Sequence, residues 1–173
     1  MAPMSNRPSF AVRVWPLVAA ALVIALDQFT KALILSSVPL GTVAWKWGGD
    51  FFWLTHQRNT GVAFSLGNGL PEVVRHWLFI VVPLAVLAFL AVYTWRDRTL
   101  TLLQRWGLGL ILGGGLGNIV DRIFRPDGVV DFLSFQLYGF LGMERFATFN
   151  VADSAVTVGG ALFVLSLILG RRK

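Results

Sequence analysis

The sequence predicts an all-α polytopic membrane protein, four transmembrane helices carrying a small extracytoplasmic β-rich segment. Of its 173 residues, 55% are hydrophobic and 14% charged, against roughly 25% charged in an ordinary soluble domain. The mean hydropathy is +0.67. Four stretches, about 14–36, 76–95, 104–123 and 150–169, each approach the roughly 20 residues that cross a hydrocarbon core. A soluble core of this makeup would expose too much apolar surface. The whole chain, 1–173, therefore reads as one integral membrane domain.

Charge sets the orientation. Arg7 and Arg13 precede the first span, Arg96, Arg98 and Arg105 flank the short middle loop, and Arg171, Arg172 and Lys173 end the chain. These eight basic residues face one acid, Asp97. In the other two connections Lys46, Arg58, Arg75, Arg122, Arg125 and Arg145 balance Asp50, Glu72, Asp121, Asp127, Asp131 and Glu144. The positive-inside rule then places both termini and the middle loop in the cytoplasm, with 37–75 and 124–149 outside. The net charge of +6 thus reports topology, not a nucleic-acid partner. With no cysteine, disulfides, thiolate nucleophiles and Cys-ligated metals are excluded.

The first span carries Asp27 and Lys31, four apart on one helical face with the acid first, the favourable order for a pair. These charges, and the lack of a small-residue cleavage site, argue for a retained helix rather than a signal peptide. Its connection to the second span is aromatic. Phe51–Arg58 and Val62–Leu66 read as short extended segments around Asn59-Thr60-Gly61. Such a sheet suits the membrane interface, because an open edge cannot lie in hydrocarbon. The second span is apolar apart from Pro83 and reads as a scaffold helix.

The third span holds Gly109, Gly113 and Gly117 at four-residue spacing, which lets membrane helices approach closely. The Gly113–Gly117 run lacks the Lys-Ser/Thr of a phosphate loop. Asn118, Asp121 and Arg122 share a face. Asp121 sits unfavourably near a helix C-terminus and needs a partner, with Lys31 or Arg122 within reach. Arg125-Pro126-Asp127-Gly128 signals a turn before Val129-Val130-Asp131-Phe132. The last span opens with Asn150 as N-cap and Asp153 at N3.

In this topology Asp27, Asp121 and Asp153 come to the outer face, joined by Asp131 from the loop. An ionisable group at bilayer depth costs roughly 2.5–3.5 kcal/mol, so it marks a site by default. Two carboxylates in contact share one proton, the ionised one taking a proton from water while the protonated one donates. This is aspartic-protease chemistry and needs no metal or cofactor. A zinc site finds no His-Glu-x-x-His motif, and the two histidines, His56 and His76, have no evident nucleophile beside them. The competing class is a small proton-coupled carrier, opposed by the absence of an internal repeat. A structural subunit docking through its glycine face would leave the acids unexplained.

Asp27-Gln28-x-x-Lys31, Asn59-Thr60-Gly61-Val62-Ala63-Phe64, Gly117-Asn118-Ile119-Val120-Asp121-Arg122, Val129-Val130-Asp131-Phe132 and Phe149-Asn150-Val151-Ala152-Asp153 together resemble the motif blocks of bacterial lipoprotein signal peptidase, signal peptidase II. The resemblance implies a four-helix inner-membrane aspartic endopeptidase. Such an enzyme cleaves diacylglyceryl-modified prolipoproteins before the lipidated cysteine, at the periplasmic face. It implies Asp131 and Asp153 as the catalytic pair. Asn59, Gly61, Asn118, Asp121, Arg122 and Asn150 are implied as substrate contacts or supports, and Asp27 and Lys31 as structural residues behind them. The expected partners are lipidated prolipoproteins and membrane lipids, engaged by a monomer, with residues 50–66 cradling the substrate. Against the family's usual connection, the Arg125-Pro126-Asp127 turn is slightly long.

Overall fold

The computed structural model describes residues 10–60 and 71–170. Gly61 and the expected Val62–Leu66 segment, with Phe64, lie outside them. Among the described residues four α-helices are present: α1 (Phe10–Ser37), α2 (Glu72–Arg96), α3 (Leu102–Phe124) and α4 (Val151–Gly170). By length and composition all four are apolar enough to cross a membrane, α2 over Trp77–Arg96.

α3 is the central helix and packs on the other three. Its glycines make this possible. A Cβ on Gly109 would lie 2.6 Å from the Pro16 carbonyl oxygen of α1, and one on Gly113 would lie 2.8 Å from that of Ala20. On the opposite side a Cβ on Gly107 would meet the Gly159 carbonyl oxygen of α4 at 2.7 Å. The four-residue glycine spacing is thus a packing seam within one chain. α2 closes the remaining side of α3, where Leu87 joins Ala20, Leu112 and Ile119 in an apolar cluster.

At the end of the bundle where α2 meets α3, Thr101 and Gln104 form a reciprocal capping box. Arg105, counted above with the loop charges, is 1% exposed. Its guanidinium donates to the carbonyls of Thr94 (2.9 Å) and Asp97 (2.6 Å), fastening the turn to α3.

At the other end lies a three-stranded antiparallel sheet in the order β1 (Val43–Trp47), β2 (Phe52–Asn59), β3 (Val129–Phe135). The partners of the aromatic strand are therefore 43–47 and, across the chain, 129–135. A bulge between Leu54 and Gln57 shifts the β2–β3 register, after which Gln57 faces Asp131 and Asn59 faces Val129. The bulged residues Thr55 and His56 are buried. Thr55 Oγ1 donates to the Thr42 carbonyl (2.7 Å), and His56 Nδ1 lies 2.8 Å from the Val38 carbonyl. A carbonyl only accepts, so Nδ1 carries the proton. His56 ties the sheet to the link from α1. The His76 side chain lies outside the described residues.

The chain returning to α4 is held on the same sheet. A short 3₁₀ turn, Phe140–Gly142, interrupts it. The Arg145 guanidinium lies over Trp53 at 3.7 Å and bonds Ser134 Oγ and the Asp50 carbonyl. Phe149 then pairs with Leu133 through N–H···O bonds of 2.8 and 2.9 Å. That pairing sets the first turn of α4 against β3.

The seam is testable by thermal unfolding in detergent. Gly113→Val forces α1 off α3 and should destabilise by about 1–3 kcal/mol, as overpacking does. Gly160→Ala, whose added Cβ meets nothing within 4 Å, should leave Tm unchanged.

Candidate active site

Five elements converge where the C-terminal halves of α1 and α3 and the first turn of α4 meet β2 and β3. At the back lies an ionic cluster. Asp27, Lys31 and Asp121 are all 0% exposed. Lys31 Nζ lies 2.8 Å from Asp27 and 3.1 Å from Asp121. Asp27 also accepts the Ala152 N–H at 3.0 Å, and Asp121 accepts the Val130 N–H at 3.0 Å. Gln28 Nε2 donates to both carboxylates and to the Gly117 carbonyl. Arg125, one turn beyond Asp121, pairs with it and donates to Gln28 Oε1 at 2.9 Å. The cluster therefore joins α1 to α3, to the start of β3 and to the start of α4.

In front of it stand three asparagines. Asn118 Oδ1 accepts from Lys31 Nζ at 2.9 Å, and its Nδ2 donates to Asp153 Oδ1 at 2.7 Å. Asn150 caps α4 reciprocally with Asp153: the Asp153 N–H donates to Asn150 Oδ1 (2.9 Å), and the Asn150 N–H donates to Asp153 Oδ2 (3.1 Å). Asn150 Nδ2 also donates to Asp131 Oδ1 at 2.7 Å. One residue thus holds both carboxylates. Asn59, diagonal to Asp131 across the sheet, donates to its Oδ2 at 3.0 Å.

The four acids separate into two pairs rather than lining one pocket. Asp27 and Asp121 are buried behind, Asp121 among Lys31, Arg125 and the Val130 N–H. Its partners are Lys31 and Arg125, not Arg122. Arg122, also on α3, stands within electrostatic reach of Asp153, Asp131 and Asp121. Arg58 donates to the Gly128 carbonyl at 3.2 Å.

Gln28 and Arg125 are the contributors that the sequence reading passed over. The spacing of Arg125 four residues after Asp121 was the available signal for one of them. The backbone donors of Val130 and Ala152 carry no side-chain signature at all.

Asp131 is buried, and burial pushes its carboxyl up to about 7 from an ordinary 3.8. The Asn59 and Asn150 amides oppose that rise, while the Asp153 charge adds to it. This carboxyl is suited to hold a proton beside an ionised neighbour, and such a pair can activate a water and donate to a carbonyl together.

Fold and site describe an integral membrane protein with two carboxylates held by one asparagine at the mouth of a helix bundle. Comparison with known proteins agrees with that class. The family model for signal peptidase (SPase) II matches residues 19–169. The lipoprotein signal peptidase of Borrelia duttonii (strain Ly) is 40% identical over 149 residues, 86% of each chain. That of Treponema pallidum (strain Nichols) is 39% identical over 153 residues, 88% of this chain and 82% of the relative. A bacterial membrane enzyme solved by the in meso method at 1.9 Å superposes with a TM-score of 0.76 at 26% identity, covering 95% of this chain and 97% of that one. The chain belongs to the signal peptidase II family, and is a multi-pass membrane protease. The carrier alternative finds no support in these comparisons.

The raised Asp131 carboxyl links pH to stability. Between its ordinary value of 3.8 and its folded value of about 7, the folded protein keeps a proton that the unfolded chain has lost. Stability therefore falls as pH rises through that window. Asp131→Asn removes this contribution, so its gain in Tm over the parent should be larger at about pH 8 than at about pH 4. Equal shifts at both values would contradict a raised carboxyl.

Proposed function

We propose that this protein removes signal peptides from diacylglyceryl-modified prolipoproteins, cleaving before the lipidated cysteine as an aspartic endopeptidase. The observation that carries this reading is the single asparagine, Asn150, bonded to Asp131 and Asp153 at once. The dyad works with one proton. Ionised Asp153 takes a proton from a water, whose oxygen attacks the scissile carbonyl carbon, while Asp131 donates its proton to the carbonyl oxygen. Collapse of the tetrahedral intermediate breaks the C–N bond: the amine leaves with a proton from Asp153 while the Asp131 carboxylate takes back a hydroxyl proton, which restores the starting pair. Arg122 sets a positive charge within reach of both acids. No step requires a metal.

The charge asymmetry supports cytoplasmic termini and a dyad on the outer, periplasmic side of the bacterial inner membrane. Trp45, Trp47 and Phe51 are exposed on the sheet, a composition suited to the headgroup layer. Each buried CH₂ of a diacyl anchor adds about 0.8 kcal/mol. The lipid therefore holds the modified cysteine at the depth of the dyad, and the apolar part of the signal peptide lies alongside in the bilayer. A monomer suffices, because the glycine seam is used within the chain.

The test is cleavage of a lipidated prolipoprotein by purified protein in detergent, followed by mass spectrometry. Asp131→Asn and Asp153→Asn should each fold and lose about 10²–10⁴-fold in turnover. Excess chelator should leave the parent rate unchanged, and the pH–rate profile should be bell-shaped. Parental cleavage by both folded variants would remove the dyad assignment, and inhibition by chelator would replace it with a metal centre.

A further inference from the structure

We infer that Lys31 is a positioning residue for catalysis: its ammonium locks the Asn118 side chain so that Asn118 presents an N–H to Asp153. The inference rests on the dyad reading given above and adds to it a buried charge on α1 that touches neither acid of the pair directly.

The chemistry of the donors fixes the geometry. An ammonium has three N–H donors and no acceptor. Those of Lys31 are matched by Asp27 Oδ2 (2.8 Å), Asp121 Oδ2 (3.1 Å) and Asn118 Oδ1 (2.9 Å). The Asn118 atom facing Lys31 must therefore be oxygen, and its NH₂ must point the other way, to Asp153 Oδ1 at 2.7 Å. A second obligate donor reinforces this. The Asp153 backbone N–H takes Asn150 Oδ1, which leaves Asn150 Nδ2 to donate to Asp131 Oδ1 and, at 3.1 Å, to Asn118 Oδ1. Turning Asn118 over would set its NH₂ against two donors in an enclosed site and take from both the acceptor that Asn118 Oδ1 provides.

The arrangement distinguishes the two acids. Asp153 receives an amide polarised by a full positive charge, and hydrogen bonds in a chain strengthen one another. Asp131 receives its amides from Asn59 and Asn150. Asp153 is thereby prepared as the anion that accepts a proton from water, and Asp131 as the acid. The other charged groups around Asp153 are Asp131 from β3 and Arg122 from α3 among the described residues, with Asp27, Asp121 and Arg125 behind Lys31. The Lys31 charge also acts on Asp131 through space, so the variant at Asn118, which keeps that charge, is the one that isolates the contribution through the amide.

Removing Lys31 alone would strand two buried carboxylates. The charge-balanced variant Asp27→Asn/Lys31→Met avoids this, keeping an oxygen for the Ala152 N–H and leaving Asp121 with Arg125. In the detergent cleavage assay it should lower kcat about tenfold, leave KM within about twofold, and raise the acid limb of the kcat–pH profile by about one unit. Asn118→Ala, with the ionic cluster intact, should raise the same limb and carries the test alone should the double variant not fold. Adding Asn118→Ala to the double variant should produce no further rise, because both changes cut one path. Folded variants that lose Tm but keep the parental acid limb would overturn the inference and leave Lys31 a stabilising residue only. That outcome is distinct from failure of the dyad itself, which Asp131→Asn and Asp153→Asn report independently.

Discussion

An ammonium group sealed inside a membrane protein has to find three acceptors, and the rest of this structure is arranged around that requirement. Two of the acceptors for Lys31 are carboxylates, and those carry further obligations of their own. Asp27 reaches the backbone of α4 through Ala152, and Asp121 reaches the backbone of β3 through Val130. Desolvating such charges costs several kcal/mol apiece, which mutual attraction offsets only when every remaining donor and acceptor is met. Meeting them here draws three helices and a strand to one point. The cluster behaves as a joint, stiff because each bond in it is also needed elsewhere.

The joint would fail without close helix approach. The short side chain of Asp27 reaches the far side of α3 only because Gly117 leaves it room: a Cβ there would stand 2.8 Å from Asp27 Oδ2. The same seam that packs the bundle therefore permits the polar contact that positions the site. The sheet contributes a second level of control. The β2 bulge sets Asn59 diagonal to Asp131, and the pairing of Phe149 with Leu133 brings Asn150 alongside. The proposed catalytic pair, Asp131 and Asp153, is thus held by backbone register on one side and by a helix cap on the other. Both are rigid, as an acid–base pair sharing one proton demands.

Local spacing made much of this legible in advance. The Asp27–Lys31 pair follows from a four-residue offset on a helix, and the reciprocal cap of Asn150 and Asp153 follows from a three-residue offset at a helix start. The glycine seam is readable from its period of four, although only packing reveals that it faces α1. The sheet was harder. The aromatic strand announced itself by composition, whereas its partners lie in two different connections, so no local pattern could pair 52–59 with 129–135. Arg105 illustrates the reverse error: counted as a loop charge, it is a buried clamp on the turn between α2 and α3.

What the amino-acid order determined by itself is everything that depends on neighbours within one turn or on bulk transfer to lipid: four spans and the cap that opens the last of them. Tertiary structure alone decided how those acids divide. Whether a carboxylate is neutralised or left to react depends on the donors that reach it, and several of these lie far away in the chain, as with Gln28 and Asp121 or Asp27 and the Ala152 N–H. Sequence proximity cannot encode such contacts, because they exist only once separate helices have been packed to within a hydrogen bond of each other.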